Sequence, residues 1–444
     1  MKKVSPYLLT LLAALPLIAQ EQPAYDSDDL VLEGRVSATK EKAEAGDAYS
    51  MRQLYLRYSL AGKSAQAAAW AQRFTDAVAA KADAGDTESM RNLGILYQKG
   101  EACIAPAPGK AISWLTKASD AGDAHAAYML GDLLKQAGND SAAHVGYARA
   151  YGLYKEQGDL FNQGYMEQNG IGTDAAPDAG IAHMQQALEA GSTAAAYQLF
   201  KTYECGIGTA ADESKALDYA QILADKANDA RMAYLVADAY LKGKAGRNDK
   251  AAGEKYLEQA VQARLPEALY HKAWLKEQAN DYQEALSLYR EAATMGHPDA
   301  AVKAGKILLY GLGGVETDDT TGLNMLHVAA EKLDSPIAPY ELGLYYDSIG
   351  EGALADDWYI KASDEGLAEA MARRGWLHLN PFSAVEWSPT ETFRWWQRGA
   401  EVDADCKLYY NLYRFAFIPL LLTMVFGIPL WVLYRVCGKG GAQD

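Results

Sequence analysis

The sequence AGDTESMRNLGILY, residues 84–97, contains the pattern that decides the fold. A turn of Ala, Gly and Asp opens a short helical stretch that reaches Leu93 and Gly94, and AGDAHAAYMLG at residues 121–131 repeats this order. A small residue, or a variant of it, returns at the same point of the pattern ten times, at intervals of 32 to 39 residues. The ten positions are Tyr55, Gly94, Gly131, Gly164, Phe200, Ala237, Ala273, Gly305, Gly343 and Gly375.

The second half of each unit is a stretch rich in alanine with an aromatic residue near its middle. In both halves apolar residues recur at i, i+3, i+4 and i+7, which is typical of amphipathic helices. Each unit is therefore predicted to be two antiparallel helices. Four copies of the second half are Lys110-Ala111 with Trp114 and Lys117-Ala118, Lys215-Ala216 with Tyr219, Glu284-Ala285 with Tyr289 and Ala292-Ala293, and Asp356-Asp357-Trp358 with Lys361-Ala362.

The small residues predict how the two helices meet. Glycine inside a helix costs up to about 1 kcal/mol relative to alanine, so its recurrence there indicates a packing reason. A Gly or Ala at the crossing point lets two backbones approach, and a large partner such as Trp114 or Trp358 is expected to fill the remaining space.

The combined pattern resembles the Sel-1-like repeat, a close relative of the tetratricopeptide repeat. Besides the two helical halves, three Gly-x-Gly tip loops carry the resemblance, which covers residues 43–402. It implies an all-α fold, a right-handed superhelical solenoid of about ten helical hairpins with a concave inner wall. It also implies a protein or peptide partner in the concave groove. The three tip loops are Gly170-Ile171-Gly172 with Asp174, Gly206-Ile207-Gly208 with Asp212, and Gly311-Leu312-Gly313 with Asp318.

The repeat pattern is interrupted in places. No tip-loop motif occurs between residues 137 and 165, and Gly158 stands too close to Gly164 for a full first helix. The units that begin near Asn228 and Arg264 lack the leading glycine. These departures predict an irregular superhelix.

The N-terminal residues have the features of a secretory signal peptide. Lys2 and Lys3 precede an apolar run that is too short to span a bilayer, and Ala19 is a suitable residue before a cleavage point. We therefore predict a signal peptide over residues 1–19. Residues 20–42 follow as a polar, acidic lead-in to the repeats.

The C-terminal region contains a predicted transmembrane helix. Phe415 to Tyr434 is a run of twenty residues without a charge, long enough to cross about 30 Å of hydrocarbon. Residues 403–414 would form a juxtamembrane segment and residues 435–444 a short cytoplasmic tail. A buried final helix of the solenoid is the alternative interpretation of this run.

A cleaved signal peptide followed by one membrane helix would place the repeats outside the cytoplasm. The short basic start of the signal is typical of bacteria, so we expect a single-pass protein of the cell envelope with its solenoid in the periplasm and its helix in the inner membrane. A luminal solenoid in a eukaryotic secretory membrane is the alternative.

Sequence patterns of catalytic, cofactor and metal sites were not found. The seven histidines are scattered, and the Gly-x-Gly segments follow helices rather than strands, so they are interpreted as turns. The carboxylate pairs Asp318-Asp319 and Asp356-Asp357 are interpreted as helix caps. Free thiols are expected for Cys103, Cys205 and Cys406, since Cys103 and Cys205 lie in tip loops about three repeats apart. We predict no catalytic residue, no cofactor and no metal.

The net charge of −16 argues against nucleic acid as a partner of the repeats. One basic and aromatic cluster occurs in the last unit, and Arg and Trp are enriched at interaction hot spots. Alternatively, these aromatic residues cap the last apolar face while the arginines meet lipid headgroups. The candidate partner-binding residues are Arg373, Arg374, Arg394, Trp395 and Arg398.

Two classes of function agree with these observations. The first is a non-catalytic interaction scaffold or adaptor on the extracytoplasmic side of a membrane, which binds partners in the solenoid groove. The second is an envelope enzyme or a cell-wall ligand sensor built on the same repeats. The absence of catalytic motifs favours the scaffold.

Overall fold

A computed structural model of the chain describes residues 29–102, 104–380 and 385–412. In these residues the chain is helical and contains no β-strand. It divides into two compact units, which meet in sequence between Ala227 and Asn228. The described helices of unit 1 are α1 (Asp29–Glu44), α2 (Ala48–Leu60), α3 (Ser64–Asp83), α4 (Thr87–Lys99), α5 (Pro108–Asp120), α6 (Ala124–Gln136), α7 (Asp140–Gln157), α8 (Leu160–Asn169), α9 (Pro177–Glu189), α10 (Thr193–Cys205) and α11 (Glu213–Ala227). Those of unit 2 are α12 (Ala230–Lys242), α13 (Lys250–Gln262), α14 (Pro266–Gln278), α15 (Tyr282–Thr294), α16 (Pro298–Tyr310), α17 (Asp319–Glu331), α18 (Ala338–Ser348), α19 (Gly352–Asp364), α20 (Ala368–Leu379), α21 (Pro389–Ala400) and α22 (Ala404–Leu412).

From α2 to α21 the helices pair as hairpins, which we call repeats, each with an A helix followed by a B helix. Repeats 1 to 5 are the pairs from α2–α3 to α10–α11 in unit 1, and repeats 6 to 10 are the pairs from α12–α13 to α20–α21 in unit 2. Within each unit every B helix also packs against the next A helix. Each unit is an all-helical solenoid of five hairpins, which confirms the predicted hairpin and the count of ten. A right-handed superhelix over the whole chain stays a prediction.

All ten predicted small positions lie in A helices, and nine of them are buried. A methyl group added to Gly94 would lie 2.7 Å from Cγ of Leu115, and one added to Gly343 would lie 2.5 Å from the ring of Tyr359. The predicted role of the glycines is therefore confirmed, since the A and B helices of a repeat touch at these points.

The predicted partners of these glycines, Trp114 and Trp358, were wrong by one residue. Successive residues of a helix point about 100° apart, so the residue after each tryptophan faces its own A helix. Trp358 instead packs in a cluster with Leu326 of the preceding repeat. The lysine three residues after each tryptophan, Lys117 or Lys361, lies with Nζ 3.8 Å from the ring centroid.

The turn before each A helix contains one residue in the left-handed backbone region. Glycine adopts this conformation at no steric cost, and Asn and Asp tolerate it better than other residues. The units at Asn228 and Arg264 lack the glycine but keep the conformation, with φ of 51° and 58°. The ten residues are Gly46, Gly85, Gly122, Gly158, Gly191, Asn228, Arg264, Gly296, Asp334 and Gly366.

The Gly-x-Gly tip loops are turns between the A and B helices, as predicted. The second glycine of each motif also lies against the preceding repeat of its unit. A methyl group on Gly172 would lie 2.3 Å from the carbonyl carbon of Tyr147, and one on Gly313 would meet the ring of Tyr282. The motif thus ties neighbouring repeats together. In the loop of repeat 8, Asp318 caps α17 by accepting a hydrogen bond from the backbone N–H of Thr321 at 2.9 Å.

The irregular region between residues 137 and 165 has a simple explanation. The connection from α6 to α7 is only three residues long, and α7 is extended to 18 residues. Gly158 ends α7 in the left-handed conformation, and α8 begins at Leu160 and contains Gly164. The first helix of repeat 4 is therefore shortened to ten residues rather than lost.

Two smaller predictions were wrong. Asp356 and Asp357 lie inside α19 and not at its start, so they are not helix caps. Cys205 is the last residue of α10 rather than part of the following loop, and it is an exposed free thiol.

Helices also flank the repeats of each unit. In unit 1, α1 packs against α2, and Val36 and Ala43 of α1 are completely buried. In unit 2, α22 packs against α20 and α21, and the rings of Phe393 and Tyr410 lie 5.2 Å apart. The residues predicted to be a lead-in and a juxtamembrane segment thus include helices that cover the ends of the repeats.

No helix within the described ranges is long and apolar enough to span a bilayer. The signal peptide at residues 1–19, the span Phe415 to Tyr434, the tail at residues 435–444 and Cys103 lie outside the described residues. The predictions about them stay predictions.

Candidate functional site

The residue that directly follows the small position of each A helix differs in chemistry from repeat to repeat. We call it the variable position. The small position is buried in nine repeats, whereas the variable position is partly or fully exposed in all ten. The packing of the hairpin therefore does not restrict which residue occupies the variable position. The ten residues are Leu56, Ile95, Asp132, Tyr165 and Lys201 in unit 1, and Asp238, Trp274, Lys306, Leu344 and Trp376 in unit 2.

Two tryptophans stand out among the variable positions of unit 2. Trp274 of α14 is 40% exposed and Trp376 of α20 is 49% exposed. The ring of Trp274 lies 6.1 Å from His271, and the ring of Trp376 lies 5.0 Å from Trp396 in an edge arrangement. Large aromatic side chains supply contact area at little cost in conformational entropy, and they dominate many interfaces.

Charged side chains connect neighbouring A helices between these tryptophans. Lys303 of α16 pairs with both carboxylate oxygens of Glu277 on α14, at 3.0 and 3.2 Å. Lys306, the variable residue of α16, pairs with Glu341 on α18. The A-helix surface of unit 2 therefore combines exposed aromatic rings with paired charges, and aromatic side chains are enriched in protein interfaces.

The variable positions of unit 1 include a half-buried carboxylate. Asp132 of α6 accepts a hydrogen bond from the hydroxyl of Tyr147 at 2.7 Å. Burial raises the pKa of Asp132, because the charged form loses hydration. In the preceding A helix, Arg91 pairs with Asp123, the N-cap of α6, at 2.6 Å.

The structure brings three residues of the predicted arginine and tryptophan cluster together. Arg374 is only 6% exposed, and it forms a two-point ion pair with Asp356 at 2.6 and 3.0 Å. Its guanidinium lies 4.0 Å from the ring centroid of Trp395, and Arg398 lies 5.3 Å from the same ring. Arg374 thus holds α20 against α19 and α21, which is a packing role.

The other two residues of the cluster project separately. Arg394 is exposed and pairs with Glu391 of its own helix at 3.5 Å. Arg373 is exposed on α20, next in sequence to the buried Arg374. Arg373, Arg394 and Arg398 are the exposed members of the cluster, and their role in binding stays a prediction.

The described residues contain no group of three or more His, Cys, Asp or Glu side chains that could hold a metal ion. Several histidines are partly buried. Burial lowers the pKa of His125, His271 and His297, while His183 lies with Nδ1 2.6 Å from the buried Glu167.

A model of the Sel1 repeat matches seven segments that together cover about half of the chain. The chain belongs to the Sel1 repeat family. The resemblance in the repeat pattern is thereby confirmed. The matched segments are residues 87–123, 160–192, 193–228, 230–264, 275–297, 298–332 and 368–402.

Curated relatives of the chain include two yeast proteins. It is 26% identical over 236 residues to chitin synthase regulator SKT5 of Saccharomyces cerevisiae, covering 49% of this chain and 33% of that protein. It is 26% identical over 223 residues to chitin synthase regulatory factor 3 of Schizosaccharomyces pombe, covering 46% of this chain and 23% of that protein. The similarity therefore spans only a third or less of either yeast protein.

Two solved structures have the same fold. A protective antigen of uropathogenic Escherichia coli with an SLR fold has a TM-score of 0.55 at 20% identity, covering 91% of this chain and 87% of that one. A Sel1 repeat protein of Oxalobacter formigenes has a TM-score of 0.53 at 22% identity, covering 68% of this chain and 90% of that one. The all-helical solenoid is thus shared with solved Sel1 repeat proteins.

The variable positions were not recognised as a set from the sequence alone. The signal was present, because each variable residue directly follows a small position that the sequence had already identified. A repeat is recognised by the residues that recur at one position, and the residues at the variable position change between repeats.

Proposed function

We propose that this protein is a non-catalytic scaffold that holds a protein or peptide partner on the A-helix surface of its repeats. The observation that carries this proposal is the contrast between the small and the variable positions. The small position is buried in nine repeats and is Gly or Ala in eight, whereas the variable position is at least partly exposed in all ten and includes aliphatic, acidic, basic and aromatic residues. Stacked repeats place equivalent positions in rows, and such rows form extended binding surfaces.

The relatives agree with a partner that is a protein. Both yeast relatives are named for regulating chitin synthase, and contact between protein surfaces is one way in which a second protein regulates an enzyme. This chain covers only part of those proteins. A polysaccharide synthase is therefore one of several protein partners that the proposal allows.

We further propose that the repeats are displayed on the extracytoplasmic side of a membrane, in the periplasm of a bacterial envelope. The sequence of the two terminal segments supports this location, with an apolar signal at one end and the uncharged run Phe415 to Tyr434 at the other. A membrane-attached scaffold would hold its partner at the envelope.

Capture of partners from solubilised membranes tests the binding surface. The variant with both Trp274→Ala and Trp376→Ala should lose most of any protein that co-purifies with the native chain, because loss of a buried interface tryptophan costs about 2 kcal/mol or more. The control is Leu354→Ala, since Leu354 is 44% exposed on the B helix α19. Circular dichroism should show folded protein in each case. Equal recovery with the double variant and the control would contradict binding at these positions.

A further inference from the structure

The carboxylate of Asp132 is held in place by the packing of its own repeat. Gly131 lies under the ring of Tyr147, where an added methyl group would come within 2.6 Å of the ring. This close approach lets the Tyr147 hydroxyl reach across to Asp132 and donate a hydrogen bond at 2.7 Å. The small position of repeat 3 thus fixes the side chain at its variable position.

No cation inside the described part of the chain forms an ion pair with this carboxylate. Lys135, on the same helix, lowers the pKa of Asp132 only through its charge and is itself exposed. The basic residue of the preceding A helix, Arg91, is already paired with Asp123 at 2.6 Å. Other half-buried carboxylates in the molecule, such as Glu277, do have a lysine partner. Asp132 therefore lacks the partner that a carboxylate usually has when it leaves water.

Two further tyrosines lie near the carboxylate of Asp132. Tyr128 precedes Asp132 by one helical turn, so both lie on one face of α6, and its ring centroid is 5.4 Å from that of Tyr147. Tyr165 occupies the variable position of the next A helix. Burial raises the pKa of both Tyr128 and Tyr165, and the charge of Asp132 adds to this effect. Tyr128 and Tyr165 are only partly buried.

We propose that Asp132, Tyr128 and Tyr165 form a receptor for a lysine or arginine side chain of a partner peptide on the A-helix surface of unit 1. This inference rests on the proposed function and adds the chemistry of the partner. The carboxylate supplies the opposite charge, and the tyrosine faces attract a cation through their quadrupoles. A metal ion is a poor match, because Ca²⁺ requires six to eight oxygen ligands.

Peptide binding to the purified full chain tests this receptor by fluorescence anisotropy. The probes are three pools of randomised nine-residue peptides, with lysine, arginine or norleucine fixed at the central position. We expect the lysine and arginine pools to bind about tenfold more tightly than the norleucine pool, as for one charge-assisted hydrogen bond. Asp132→Asn should bring the three pools within about twofold of each other while it keeps the hydrogen bond from Tyr147.

The control variant is Glu156→Gln, which removes the same charge from an exposed position on α7 and should retain the preference for basic pools. Tyr147→Phe removes the hydrogen bond that positions Asp132, so it should weaken the preference without abolishing binding. Equal binding of all pools by the native chain, or an unchanged preference in Asp132→Asn, would overturn the receptor. If no pool binds while partner capture succeeds, the receptor is wrong and the scaffold function stands.

Discussion

Gly131 is important for packing because it has no side chain. The ring of Tyr147 lies so close to its Cα that a Cβ would come within 2.6 to 3.0 Å of three ring atoms. These ring atoms belong to a side chain that is only 8% exposed, so they have little room to move. A substitution at this residue must displace the ring and, with it, the hydrogen bond to Asp132.

Gly131→Ala should therefore destabilise the protein by about 1 to 3 kcal/mol, the usual effect of overpacking. The matched control is Gly152→Ala in the partner helix α7, where no atom lies within 4 Å of the added methyl group. That control should be stabilising by up to about 1 kcal/mol through helix propensity alone. Thermal unfolding of both variants measures the difference. Equal shifts for the two would mean that Gly131 has no packing role.

Sequence alone identified the small residues but assigned two of them the wrong neighbour. Trp114 and Trp358 stand out in the pattern, whereas Leu115 and Tyr359 contact the glycines. In the B helix that contains Trp358 both faces are buried, because one packs on its own A helix and the other, which carries the tryptophan, contacts the preceding repeat. The sequence indicates that both faces are buried. It does not show which of them meets the helix's own A helix, because that depends on how the helices pack.

At the scale of the helices, the structure contains three hairpins that the family model does not match at all, and a fourth, repeat 7, that it matches only from residue 275. Repeats 1, 3 and 9 lie outside the matched segments. All three have a three-residue connection between their helices in place of the Gly-x-Gly loop. The recurring small residue still predicted these repeats from the sequence, because a packing contact is needed in each hairpin, whereas a particular loop is not.

The candidate site was less predictable than the fold. The sequence directed attention to five residues of the last repeat, and the structure shows that Arg374 is buried in an ion pair with Asp356. A side chain's availability to a partner depends on which neighbours it meets in three dimensions. The variable positions could have been found, since exposure alternates with burial along the A helix at fixed offsets from the small residue.

The histidine of α6 should make the stability of the protein depend on pH. Burial lowers the pKa of His125 below the ordinary histidine value of about 6.5, and the positive charge of Arg91 lowers it further. Asp123 and Asp159 act in the opposite direction with smaller effects. At a pH between the pKa of His125 in the folded chain and its higher pKa in the unfolded chain, only the unfolded chain binds a proton at this residue. The free energy of unfolding therefore falls as the pH drops below about 6.5.

The melting temperature should accordingly fall between pH 7.5 and pH 5.5, and His125→Gln should show a smaller fall over the same range. His144→Gln is the control, because His144 is exposed on α7. The readout is the change with pH rather than the absolute stability, since loss of the contact between His125 and Tyr154 affects all pH values alike. The same pH dependence in both variants would contradict a buried neutral His125.

At the scale of the whole molecule, the net charge and the proposed receptor favour the same kind of partner, a basic one. The chain carries a net charge of −16, and such a field accelerates the approach of basic partners and repels acidic ones. The net charge would attract a basic partner towards the protein, and Asp132 would then bind its basic side chain on the A-helix surface. Salt should then slow association more than it speeds dissociation.

The predicted topology rests on the terminal segments and assigns two cysteines to opposite sides of the membrane. Cys205 belongs to the repeats and is exposed, while Cys437 follows the uncharged run Phe415 to Tyr434 by three residues. A bilayer between them would block a charged thiol reagent from one side, since polar groups cross the hydrocarbon at high cost. Single-cysteine variants that retain only Cys205 or only Cys437 therefore report the side of each segment.

In bacterial spheroplasts that express these variants, a membrane-impermeant maleimide should label Cys205 at once and Cys437 only after detergent is added. The full chain should also remain with the membranes after alkaline extraction, and a chain that ends at residue 412 should be released, because about 30 Å of apolar helix holds the first and not the second. Labelling of both cysteines only after lysis would place the repeats in the cytoplasm. Release of the full chain by alkali would show that residues 415–434 do not span the bilayer, and the buried final helix would then be the correct interpretation of that run.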